Sequence, residues 1–139
     1  MGRVLAIDYG RKRSGIAVTD PGRIIASPLT TVPTHELPAF LEKYIAEENV
    51  DCLVIGEPKQ MNYSASEAEK FIGPFIKKIR KAFPGLKIER VDERFTSLLA
   101  SQAILDSGIN KKGRQDKGLV DKVSAAIILQ TYLEMNKGH

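Results

Sequence analysis

Five acids mark the ends of apolar segments: Asp8, Glu57, Asp92, Glu93 and Asp121. Asp8 closes "VLAID", Glu57 follows "CLVIG", Asp92 and Glu93 follow "LKIERV", and Asp121 opens a final apolar stretch. If the first, fourth and fifth runs are parallel neighbours in one sheet, their carboxyl ends share an edge. Open α/β sheets bind their ligands there. Carboxylates gathered at one edge repel each other and are costly to bury. A divalent cation resolves the conflict, and an oxygen-only donor set favours Mg²⁺ or Mn²⁺ over zinc. Two such ions about 4 Å apart can activate a water and stabilise the leaving oxygen of a phosphodiester. Each acid also has a plainer role. A strand-end acid is a common turn former, Arg94 can pair with any of these acids, and an acid at a helix start is favoured by the helix dipole.

The cations are distributed in a matching way. Residues 1–23 hold five (Arg3, Arg11, Lys12, Arg13, Arg23) against Asp8 and Asp20, a net +3. Residues 108–122 hold Lys111, Lys112, Arg114, Lys117 and Lys122 against Asp116 and Asp121, again +3. Two basic segments flanking lone acids point to a polyanionic substrate, although solvated loops have the same composition. Few aromatics lie within them, which favours recognition of backbone and shape over base stacking.

The elements that must position these groups can be read from the pattern. Residues 3–8 and 14–19 are apolar strands joined by a short polar turn, a hairpin signature. Residues 23–32 read as a third strand, with Pro28 favouring an edge or a bulge. Residues 35–48 carry a helical apolar face, and 52–56 form a short buried strand. "SASE" at 64–67 is a capping box for the next helix, which Gly73-Pro74 is expected to kink or interrupt. Residues 86–91 form a fifth strand. Thr96 caps a helix ending at Gly108, residues 108–118 form a loop, and a last helix covers 119–135. The order β-β-β-α-β-α-β-α-α implies a mixed five-stranded α/β sheet, three antiparallel meander strands plus two parallel, with helices on both faces. Small residues at 124–126 would let the last helix lie close to that sheet.

Composition sets outer bounds. The 139 residues suit one domain, 1–139, with a core large enough to need no disulfide or structural metal. No window offers the ~20 apolar residues that span a bilayer. Cys52 is the only cysteine, which suits a reducing cytoplasm, and His35 and His139 make no zinc pattern. The expected oligomeric state is a monomer or a homodimer.

Four segments, "LAIDYGRKRSGIAVTD" (5–20), "LVIGEPKQMN" (53–62), "VDERFTS" (91–97) and "LVDKVSAAIIL" (119–129), together resemble the motifs of the YqgF family, in order and over nearly the full chain. These RuvX-type, RuvC-like proteins are described as Holliday junction resolvases and as nucleases trimming the 5′ end of pre-16S rRNA. The resemblance implies an RNase H-like fold and a Mg²⁺- or Mn²⁺-dependent nuclease whose metal ligands are Asp8, Glu93 and Asp121. It also implies substrate contacts from Arg11, Lys12, Arg13 and Arg94, and the charge of the second basic segment adds Lys111, Lys112, Arg114 and Lys117 as candidates. The expected partner is nucleic acid, precursor rRNA or branched DNA. The chain departs from the family after the fourth strand. Glu57 stands where a leucine is usual, and the glycine of an Asn-Met-Asp-Gly-Ser loop is missing. Other RNase H-like nucleases carry a carboxylate at the position of Glu57, so it is a candidate extra ligand. Two rivals share parts of this pattern. A sugar-kinase or actin-like ATPase would need two copies of the unit, and a non-catalytic binding module would be expected to lose the carboxylates.

Overall fold

The computed structural model describes residues 2–20, 22–23, 25–57, 69–92 and 117–135, with the backbone alone for Glu57, Glu69, Asp92 and residues 117–121. The expected capping box at 64–67 and the helix from Thr96 to Gly108 lie outside the described residues. So do Glu93, Arg94, Lys111, Lys112 and Arg114.

Five strands form one sheet: β1 (Arg3–Asp8), β2 (Arg13–Thr19), β3 (Ala26–Pro33), β4 (Val50–Glu57) and β5 (Lys87–Asp92). Their order is β3-β2-β1-β4-β5. β1 pairs antiparallel with β2 and parallel with β4, and β4 pairs parallel with β5. The mixed meander-plus-parallel arrangement expected from the pattern is therefore present. Pro28 lies on edge strand β3, where the register shifts opposite Ile16 and Ala17. Edge position and bulge both accommodate a residue with no N–H to donate.

Strand alternation sends successive side chains to opposite faces and builds two apolar layers. Leu5, Ile7, Ile16, Leu53 and Ile55 pack against α1 (Leu37–Glu47) and α2 (Glu69–Ala82). A 3₁₀ turn, Thr34–Glu36, leads into α1. Val4, Ala6, Ala17, Cys52, Val54 and Val91 pack against Ala125, Ile128, Leu129 and Tyr132 of α3 (Lys117–Met135). Ala6 and Ala17 opposite Ala125 keep this layer thin, as the small residues of the last helix foretold.

Two expectations need correction. Gly73-Pro74 does not interrupt α2, which runs unbroken from Glu69 to Ala82 with Pro74 inside it. Pro74 is exposed, opposite the buried Ile72, Phe75, Ile76 and Ile79. The carbonyl deprived of its N–H partner is thus left near water, while the buried face holds the helix to the sheet. The last helix begins at Lys117, two residues before the expected start. Lys117 is consequently helical, and Asp121 is not a first-turn acid.

The layer beneath α3 also predicts a pH response. Cys52 Sγ and Tyr132 Oη lie 3.8 Å apart. Burial, and then the neighbouring Cys52, push the Tyr132 hydroxyl from its ordinary 10.0 up to about 12. An unfolded tyrosine ionises near 10, so between about pH 10 and pH 12 the folded state holds the extra proton. Stability should be fully present below that window and fall as pH rises through it. Urea unfolding measured below and within the window should show the loss, and Tyr132→Phe should reduce it.

Candidate nucleic-acid site at the carboxyl edge

β1, β4 and β5 run in the same direction and end together. Ile7 is in register with Ile55, and Glu57 with Asp92. Asp8, Glu57 and Asp92 therefore end neighbouring strands on one edge, each strand about 4.8 Å from the next. Asp8 is half-buried and shares strand parity with Val4 and Ala6, which face α3. The Cys52–Tyr132 contact places a late turn of α3 over the start of β4. The beginning of α3 thus points toward the edge that carries Asp8.

The turn after Asp8 is held by a polar ring that no motif announces. The Gly10 N–H donates to Ser14 Oγ at 3.4 Å, and the Thr34 hydroxyl donates to the Gly10 carbonyl. Thr34 has only one hydroxyl proton, so the 2.9 Å contact between Ser14 Oγ and Thr34 Oγ1 must use the Ser14 proton. The Thr34 N–H closes the set on the Lys12 carbonyl at 3.0 Å. Ser14 and Thr34 are both buried and both spent on this turn. Gly10 is required there for space, because a Cβ would collide with the Arg13 carbonyl oxygen.

The ring presents Arg11 and Lys12 to solvent, with Arg13 half-buried, around a shallow hollow of about 330 Å³ lined by residues 10–13. α2 supports the turn from the side. The Arg11 guanidinium sits 4.8 Å from the Phe71 ring centroid, and the Tyr9 and Phe75 rings are 5.0 Å apart. Burial pushes the Tyr9 hydroxyl above its ordinary value. Few aromatics lie within the basic segments themselves, but α2 brings Phe71 to Arg11 across 60 residues of chain. At the end of β4, Arg90 donates from Nε to the Ile55 carbonyl (3.2 Å) and from its terminal amine to the Gly56 carbonyl (3.1 Å). A lone cation two residues before the Asp92-Glu93 pair was its only sequence signal.

The model of one protein family, described as RuvX: Holliday junction resolvase, matches residues 2–135. The chain belongs to the RuvX family. Among RuvX relatives, a "Putative pre-16S rRNA nuclease" of Bacteroides thetaiotaomicron is 58% identical over 137 residues, 99% of each chain. One of the same name from Porphyromonas gingivalis is 58% identical over 134 residues, covering 96% of this chain and 97% of that protein. The fold is similar to the solved structure "T. thermophilus RuvC in complex with Holliday junction substrate", with a TM-score of 0.61 at 16% identity over 99% of this chain and 98% of that one. This RuvX chain therefore has the RuvC-like, RNase H-like architecture. No helix among its described residues is long and apolar enough to cross a membrane.

Proposed function

We propose that this protein is a divalent-metal-dependent endonuclease of structured nucleic acid that trims the 5′ end of pre-16S rRNA. The observation that carries the reading is the direction of α3 relative to Asp8. From Tyr132 back to Asp121 is eleven residues, a helical rise of about 16 Å. From Cys52, beside Tyr132, to the end of β4 is five residues, about 16 Å of strand. Asp121 is thereby expected at the level of Asp8, on the face that Asp8 shares. Glu93 directly follows β5, two residues after Val91, whose side chain lies in that same layer.

Asp8, Glu93 and Asp121 offer only carboxylate oxygens, which fits Mg²⁺ or Mn²⁺. Such an ion, when bound, supplies an activated water and charge neutralisation at the leaving oxygen. The chain's own contribution is positioning. The turn at residues 10–13 would hold phosphate beside Asp8, and Arg94, Lys111, Lys112, Arg114 and Lys117 are the further candidate phosphate contacts. Support for rRNA as the substrate comes from the names of the relatives. The family description favours a second reading, resolution of four-way DNA junctions.

Purified protein with Mn²⁺ should cut a precursor rRNA fragment at its 5′ side, and chelation should stop it. Preferential cutting of a four-way junction would favour the second reading, and no cutting of either substrate would defeat the nuclease reading. Asp121→Asn should weaken Mn²⁺ binding in a calorimetric titration without lowering the melting temperature. Unchanged affinity would remove Asp121 from the ligand set. The helix dipole offers little competing explanation, because its influence fades beyond the first turn.

A further inference from the structure

After Glu69, the acid that opens α2, residues 70–82 contain five cations, Lys70, Lys77, Lys78, Arg80 and Lys81, and no further acid. All five are exposed. The buried face of the helix is apolar, formed by Ile72, Phe75, Ile76 and Ile79. Helical spacing puts Lys77 and Lys81 on the outer ridge and Lys78 beside them, seven residues from Phe71. Phe71 is 41% exposed, large for an apolar ring, and its other side is taken by Arg11. The helix starts at the Arg11 turn and leads away from the edge of Asp8. Past Glu69, its cations extend the positive charge of the basic turn along a helix about 20 Å long, the length of fourteen helical residues.

We propose that the α2 face is a track for a single-stranded flank of the substrate, with phosphates on Lys77, Lys78 and Lys81 and one unpaired base against Phe71. This rests on the nuclease reading above and adds the strand's path. The positive charge selects a polyanion. The ring selects an unpaired one, because a base inside a duplex has no free face to offer. Arg11 fixes Phe71 at cation–π distance and keeps the ring beside the turn that would grip the scissile phosphate.

The test compares two RNA probes in an Asp8→Asn background, a blunt duplex and the same duplex with a single-stranded tail of about eight nucleotides. Lys77→Gln/Lys78→Gln/Lys81→Gln should weaken binding of the tailed probe at low salt and leave blunt-duplex binding unchanged. Its salt slope should fall by about two units, three contacts at about 0.7 each. The chain has no tryptophan, so Phe71→Trp installs a unique fluorophore. The tailed probe should quench it, and the blunt probe should not. Equal losses on both probes, an unchanged slope, or no quenching each overturn the track. Failure of the parent to bind either probe overturns the nuclease reading itself, and the two failures are therefore distinct. Circular dichroism confirms that the variants are folded.

Discussion

Asp8→Asn is expected to lower cleavage by on the order of 10³-fold, the scale on which removal of one charge-stabilising group acts in an active site. The substitution keeps the side chain's shape and hydrogen-bonding reach but removes its charge. Asp8 ends the central strand, half-buried, with the sheet's parallel neighbours on one side and the basic turn on the other. On the β2 side, among the described residues, no carboxylate can substitute, because β2 runs the opposite way and presents Gly15 opposite Asp8. Stability should hold or rise, since the variant relieves repulsion among the edge acids. Single-turnover cleavage of the precursor fragment, with thermal melting as the control, measures both. Cleavage within tenfold of the parent would remove Asp8 from the mechanism.

The sheet was legible because its cues are local. Apolar runs of strand length, a short polar turn and Pro28 were enough to indicate the meander, its edge and its bulge. Asp8 was legible because a strand end is a sequence boundary. The polar ring was not, since Ser14 and Thr34 are ordinary residues until the meander brings them 2.9 Å apart. The Arg11–Phe71 stack was hidden for the same reason. The interruption expected at Pro74 is absent because proline's effect depends on which side of the helix it takes, and only packing against the sheet decides that. The start of the last helix was misplaced because Gly118 reads as a loop residue, whereas the structure keeps it inside α3.

Gly10→Ala is expected to lower cleavage about 100-fold, the loss that an ångström-scale displacement of catalytic groups can cause. The added Cβ meets the backbone oxygen of Arg13, which has no flexible end to move aside. The turn must open, and the Ser14–Thr34–Gly10 ring must open with it. Overpacking of this kind costs about 1–3 kcal/mol. The melting temperature should therefore fall while Mn²⁺ affinity stays near that of the parent, because Asp8 belongs to β1 and not to the turn. Parental cleavage rates in Gly10→Ala would show that the turn's geometry is irrelevant to catalysis.

The central strand of the sheet is also the first strand in chain order, and this shapes how the protein must be made. β2 can fold back on β1 as soon as it emerges, and Pro28 blunts the outer edge of the meander. The opposite edge of β1 waits for β4, since Ile7 pairs with Ile55, 48 residues later. At about 5–20 residues per second of synthesis, that apolar edge stays open for about 2–10 s. During this interval it is an unpaired template for strands of other nascent chains. The face bearing Val4, Ala6 and Ala17 waits longer still, until α3 arrives to cover it. Crowded polysomes, where several such open edges emerge side by side, are thus a setting that exposes this chain to misassembly.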